Sequence, residues 1–167
     1  MNNLTKSTIA ASSAEELFAL LGGELARRVP VARNSPLFLP TIQTLPVGLR
    51  AMAATFELDV SLAMDDLGWH FGNWHDAALA EETACGLAEL GATEMANTFR
   101  EAFRRATPFW DELGNPGWSK WYPDSALAQA MKPLNEQAWA ILKGKQQGIF
   151  DYWVDYARKY PERVGAG

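Results

Sequence analysis

The sequence predicts an all-α protein, a single compact bundle of about six to seven helices. Apolar residues recur at steps of three and four in several segments, which is the period of one buried helix face. Capping residues, Pro and Gly mark where these segments begin and end. Because no segment alternates apolar and polar residues, no strand is predicted. We expect one helical domain at residues 13–163, preceded by a mobile tail at residues 1–12.

Size and composition limit the possible classes of protein. The chain has 167 residues, which is typical of one domain. Its single cysteine, Cys85, excludes an internal disulfide and is expected to be a small buried residue. No apolar run is long enough to span a bilayer, and the first residues lack the apolar core of a signal peptide. We therefore expect a cytoplasmic protein that does not bind membranes.

The first long helix is expected to begin at a capping box formed by Ser13 and Glu16 and to end before Pro30. Three prolines in residues 31–46 predict an extended connection. The next helix has the clearest apolar stripe in the chain. Its members are Leu45, Leu49, Met52, Phe56, Val60, Met64 and Leu67.

An aromatic segment at residues 68–76 is interpreted as a turn between two helices, with Gly68 and Gly72 at its edges. Asn73 or Asp76 can cap the helix that follows, and Gly91 is expected to end it. Further helices are predicted to about residue 106, in a short turn at residues 109–113, from the Asp124 cap through Met131, again from Pro133 to residue 142, and from residue 149 to Pro161.

Tryptophan is frequent, with seven residues. Trp139 and Trp153 lie at helical spacing and are expected in the core. Residues 114–123 form a predicted loop that contains Trp118, Trp121 and Tyr122. These side chains either pack back over the core or face a partner, in which case the chain is a subunit of a larger assembly.

The distribution of charge is uneven. The formal net charge is −5, which argues against binding nucleic acid through the overall field. No Lys or Arg lies between Arg50 and Arg100, and we call residues 51–99 the cation-free interval. Its carboxylates are Glu57, Asp59, Asp65, Asp66, Asp76, Glu81, Glu82, Glu89 and Glu94. They predict either a face that binds a basic partner or an ordinary solvated surface.

Motifs for catalysis are not found in the sequence. There is no Gly-x-Ser-x-Gly elbow, no phosphate-binding glycine loop and no Glu-x-x-His pair. Asp59, Asp66 and His70 share one helical flank, but a glycosidase needs two carboxylates that face each other across a cleft. His70 and His75 are the only histidines, and the turn could bring them near Asp66 or Asp76. A metal-binding protein or a metal-dependent hydrolase is therefore the alternative function.

Several short motifs carry a family resemblance. They are the aromatic-x-Asn turn at Phe71–Asn73, the acidic Asp76, a helix that closes on Leu-x-x-Leu-Gly-Ala at Leu87–Ala92, and the helix at Met95–Phe103. With these motifs the chain resembles a helical domain-of-unknown-function family whose best-known member is a bacterial DNA-mimic protein. The family commonly has Asn-Gly-Gly-Phe before the turn, where this chain has Met64–Leu67. The resemblance implies an all-helical, non-enzymatic protein that binds another protein, in the DNA-mimic case a DNA-binding one.

The density of carboxylates limits how closely this chain can imitate DNA. Duplex DNA carries one charge per roughly 1.7 Å of its axis. Nine carboxylates lie in the 49 residues between Arg50 and Arg100. At a rise of about 1.5 Å per residue this is one per roughly 8 Å of helix. The comparison favours an ordinary acidic protein-binding face over close mimicry.

We thus predict a protein-binding module without a cofactor, which engages a basic partner such as a DNA-binding regulator or a toxin and makes no direct contact with nucleic acid. The predicted partner-binding residues are Glu57, Asp59, Asp65, Asp66, Asp76, Glu81, Glu82 and Glu89.

Overall fold

The computed structural model describes residues 4–165, and the fold is all-α, as predicted, with no strand in that range. The described residues form eleven α-helices and three 3-10 helices. The α-helices are α1 (Lys6–Ala11), α2 (Ala14–Arg28), α3 (Phe38–Ile42), α4 (Val47–Met64), α5 (Leu67–Asn73), α6 (Ala77–Glu89), α7 (Thr93–Ala106), α8 (Trp110–Leu113), α9 (Trp118–Trp121), α10 (Ala126–Leu142) and α11 (Phe150–Lys159). The 3-10 helices are Thr107–Phe109, Tyr122–Asp124 and Pro161–Val164.

The number of helices exceeds the prediction because short helices occupy segments that were expected to be irregular. These are α1, α3, α5 and α9. The long helices were predicted well at their N-terminal caps. Ser13 and Glu16 form the predicted capping box of α2, and Asp76 caps α6. At α10 the cap is Ser125 and not Asp124, and the helix continues through Pro133.

Helix α4 lies at the centre of the molecule and contacts α2, α3, α5, α6 and α11. It packs antiparallel to α6: Thr83 donates a hydrogen bond from its hydroxyl to the carbonyl of Ala54, and Gly86 lies against the backbone of Ala51. Helix α7 packs against both α6 and α10. The buried apolar side chains of all these helices join in one core cluster. No helix in residues 4–165 combines the length and apolar character that a membrane span requires.

The segment expected to be a mobile tail contains helix α1. Thr5 caps α1, and Ile9 of α1 is only 2% exposed and belongs to the core. Helix α1 contacts α11, so an apolar side chain and a local cap order this segment. The first three residues of the predicted tail lie outside the described residues.

The predicted stripe of α4 is correct in its first half and wrong in its second. Leu49 and Met52 are fully buried, but Val60 is 37% and Met64 76% exposed. Each step of four residues advances about 40° beyond a full helical turn, so a stripe built from such steps rotates out of the core. Leu58 and Leu62 are the buried apolar residues there, whereas Leu67, the last member of the predicted stripe, is fully buried in α5.

The aromatic segment interpreted as a turn is mostly helix α5. Gly68 and Gly72 are buried inside this helix rather than at the edges of a turn. A Cβ atom at Gly68 would overlap the ring and hydroxyl of Tyr122, and one at Gly72 would lie 2.5 Å from the ring of Trp118. The two glycines therefore give space for aromatic rings of the predicted loop, which pack back over the core. Tyr122 is 1% exposed.

Two expectations of burial were wrong. Trp153 is fully buried as predicted, but Trp139 is 45% exposed. Cys85 is exposed and not buried, because it lies on the outer face of α6.

Candidate partner-binding surface

Three predicted partner-binding residues are neutralised by arginines from outside the cation-free interval. Glu82 is largely buried and accepts two hydrogen bonds from Arg50, both of 2.6 Å. Glu57 pairs with Arg33 at 2.7 Å. Glu89 pairs with Arg163 at 2.7 Å, and it also accepts a hydrogen bond from the hydroxyl of Tyr156. These carboxylates stabilise helix contacts and do not form a free acidic face.

Two further predicted residues cap or anchor helices. Asp59 accepts a 2.6 Å hydrogen bond from the backbone N–H of Ile149, at the start of α11, and burial raises the pKa of its carboxyl group. Asp66 accepts from the N–H of Trp69 at 2.9 Å and from the hydroxyl of Tyr122 at 3.0 Å. Burial and the adjacent carboxylate of Asp66 raise the pKa of Tyr122 above its ordinary value, so its hydroxyl keeps its proton and donates to Asp66 in alkaline as well as neutral solution.

The remaining predicted residues, Asp65, Asp76 and Glu81, are exposed, as is Glu94 from the same interval. No ion pair joins any of these four to a Lys or Arg of residues 4–165. Because α4 and α6 are antiparallel and α5 connects them, Asp65 and Asp76 lie at the same end of the pair. Glu81 follows Asp76 within two turns of α6, whereas Glu94 begins α7 at the opposite end.

The structure adds two carboxylates that sequence reasoning missed. The ring of His75 stacks on Trp110 with centroids 4.5 Å apart, and its Nε2 lies 2.7 Å from the carbonyl oxygen of Trp110. This contact brings Trp110 of α8, whose next two residues are the exposed Asp111 and Glu112, against His75, the residue before Asp76. No local pattern indicates it, because the partners are 35 residues apart. We define the acidic end by its exposed carboxylates, Asp65, Asp76, Glu81, Asp111 and Glu112.

The two histidines do not form a metal site with Asp66 or Asp76. His70 is 4% exposed, and its Nδ1 lies 2.9 Å from the hydroxyl of Ser61. His75 is on the surface against Trp110. Within the part of the chain that the structure describes, no three His, Cys, Asp or Glu side chains are grouped so as to hold a metal ion. The metal-dependent alternative is therefore not favoured.

The buried His70 predicts a loss of stability in mild acid. Burial lowers its pKa to about 3. The unfolded imidazole takes up a proton below about pH 6.5, so the unfolded state binds more protons from that pH down to the folded pKa. Stability should therefore fall as the pH falls through this range, by about 2 kcal/mol between pH 7.5 and pH 5. Urea unfolding at the two pH values measures this loss.

The matched variants for this prediction are His70→Gln and His75→Gln. The first should remove most of the loss, and the second should retain it, because His75 lies on the surface. Carboxylates with a lowered pKa, such as Glu101, also make the protein less stable in acid, but mainly at lower pH than His70 does. An equal loss in wild type and His70→Gln would show that His70 is not the group responsible.

Comparison with protein families identifies the larger part of the chain. A family model described as DMP19-like protein matches residues 43–160, which is 118 of 167 residues. The match includes α4 to α11 and the whole of the cation-free interval. Comparisons with curated proteins and with solved structures gave no match. The family match covers well over half of the chain, and the protein belongs to the DMP19-like family.

Proposed function

We propose that this protein is a non-enzymatic binding module whose acidic end engages a basic protein, such as a DNA-binding regulator or a toxin. The observation that carries the proposal is the set of exposed carboxylates at this end without an arginine or lysine partner among residues 4–165. Family membership supports it, because the DNA-mimic resemblance implies a basic, DNA-binding partner. The proposed binding surface has five carboxylates, fewer than the eight predicted from the sequence, and two of them, Asp111 and Glu112, were not among those eight.

The paired carboxylates are poor candidates for binding a partner. Recruiting Glu82 would break its two-bond contact with Arg50 and leave one of the two charges without its partner. Exposed carboxylates without an arginine or lysine partner attract cations without that cost and make association faster at low salt. The proposed interaction is therefore electrostatic, moderate in charge density and sensitive to ionic strength.

The surface carboxylates can be tested by changing charge without changing shape. The test variant combines Asp65→Asn, Asp76→Asn, Glu81→Gln and Glu112→Gln, all at the acidic end. Asn is as good an N-cap as Asp, so α6 keeps its cap. We expect the wild-type protein to retain a basic protein from the lysate of its native host at low salt, and the variant to retain roughly tenfold less. Retention is measured by quantitative mass spectrometry as salt is raised.

A control with the same change in net charge separates local from global effects. It combines Glu15→Gln, Asp124→Asn, Asp155→Asn and Glu162→Gln, which are also exposed. This control should retain the partner at nearly the wild-type level. Two results would contradict a binding surface at the acidic end: an equal loss of partner retention in both variants, or retention that does not change as salt is raised.

A further inference from the structure

A second surface feature is a groove between the C-terminal halves of α4 and α10, closed at one side by the segment that leads into α11. Its volume is about 810 Å³, within the range of about 300 to 1,000 Å³ typical of ligand sites. Leu62, Ala63, Trp139, Ala140 and Phe150 supply its apolar lining. None of the motifs found in the sequence points to it.

One of the large exposed apolar side chains, Trp139, lines this groove and is 45% exposed. The Nε1–H of Trp139 donates a 3.1 Å hydrogen bond to the carbonyl of Leu62, which holds the indole in place at the groove. An exposed apolar patch with a fixed tryptophan is typical of an interaction site.

The polar atoms of the groove are mainly hydrogen-bond acceptors. Oε1 of Gln147 is buried and accepts no hydrogen bond from the residues the structure describes. Asp59 uses one of its carboxylate oxygens to accept from Ile149. Glu136 lines the groove as an exposed carboxylate, and Lys143 is its one lining cation in the described chain. A buried acceptor without a donor is costly, so a ligand that brings N–H groups would gain free energy here.

These features favour a ligand that combines apolar side chains with a cationic hydrogen-bond donor. Apolar side chains fit the indole of Trp139 and the Leu62 surface, and a cationic donor fits Gln147, Asp59 and Glu136. Arginine suits this combination best, because its guanidinium carries five N–H donors and stacks on aromatic rings.

We propose that the groove binds an amphipathic segment of the basic partner, with apolar side chains against Trp139 and an arginine directed to Gln147 and the carboxylates. This inference rests on the proposed function and adds a second contact to it. The acidic end provides long-range attraction, whereas the groove provides short-range specificity for an arginine flanked by apolar residues.

Capped tripeptides test the groove without the partner. The probes are Leu-Arg-Leu, the charge-reversed Leu-Glu-Leu and the non-apolar Gly-Arg-Gly, each titrated into the full ¹⁵N-labelled chain. The readout is the indole N–H signal of Trp139, assigned by its loss in Trp139→Phe. We expect Leu-Arg-Leu to shift this signal, and both other peptides to bind roughly threefold to tenfold more weakly.

Neighbouring glutamines give a matched pair of variants. Gln147→Met removes the buried acceptor and should reduce the preference for Leu-Arg-Leu over Leu-Glu-Leu. Gln146→Met should leave that preference unchanged, because Gln146 is exposed and lies outside the lining of the groove.

Three results would overturn the inference. They are no shift at Trp139, equal binding of Leu-Arg-Leu and Leu-Glu-Leu, and a Trp139 signal that changes with protein concentration alone. The third result would indicate a second copy of this chain as the occupant. Because the peptides report on the groove alone, the inference can fail while salt-dependent retention of the partner at the acidic end still holds.

Discussion

Replacing Gly68 with alanine is expected to destabilise the protein by about 1 to 3 kcal/mol or more. The added methyl group would overlap the ring and hydroxyl of Tyr122, which is buried and therefore has little room to move. It would also displace that hydroxyl from Asp66, the N-cap of α5. The free energy of unfolding in urea measures the effect.

Gly23→Ala is the matched control, because Gly23 also lies inside a helix but its Cβ position is open. Alanine favours helix over glycine by about 0.5 to 1 kcal/mol, so this variant should be more stable than wild type. A double variant of Gly68→Ala with Tyr122→Ala tests the cause. Once the ring is removed, the added methyl group should cost little, and the two effects should not add. Full additivity would show that Tyr122 does not pack on Gly68.

Trp153→Ala is expected to have the largest effect of any single substitution considered, a loss of about 3 to 5 kcal/mol. The Trp153 side chain is fully buried and contacts the rings of Phe18, Phe56 and Phe150. Its Nε1–H donates a 3.1 Å hydrogen bond to the hydroxyl of Thr55. The substitution creates a cavity where α2, α4 and α11 meet and removes a buried donor. The loss in the free energy of unfolding is measured by urea unfolding, monitored by circular dichroism.

Trp139→Ala provides the comparison, because the two tryptophans have the same chemistry but different exposure. Trp139 is 45% exposed, and its loss should cost about 1 kcal/mol or less. It should also weaken the binding of Leu-Arg-Leu, followed here by backbone N–H signals of the groove because the indole signal is lost with the substitution. Equal destabilisation by the two substitutions would contradict the placement of Trp139 at the surface.

The fold class could be predicted because helix periodicity and caps are local properties. Ser13 and Asp76 each accept from a backbone N–H three residues ahead, and that spacing is visible in the sequence. The identity of α5 was missed because Gly68 and Gly72 usually disfavour a helix. Here close packing against Trp118 and Tyr122 overrides that propensity. The outward position of Trp139 was missed because periodicity alone cannot show which side of a helix its neighbours cover.

The surface that we propose for binding was predictable as an acidic region, but its individual residues were not. Asp65, Asp76 and Glu81 are exposed at the acidic end, as expected of a partner-binding face. Asp111 and Glu112 join them only through the stacking of two aromatic rings.

The sequence by itself determined the all-α class, the capped helices, the cation-free interval and the resemblance to the family to which the chain belongs. Only the tertiary structure decided which carboxylates of that interval are available. Arg50 reaches Glu82 from 32 residues away and Arg163 reaches Glu89 from 74 residues away. An ion pair forms between groups that are close in space, even when they are far apart along the chain. The absence of Lys and Arg from a stretch of sequence therefore does not show that its carboxylates are unpaired. The exposed acidic end and the groove beside Trp139 are therefore properties of helix packing, although every side chain in them is written in the sequence.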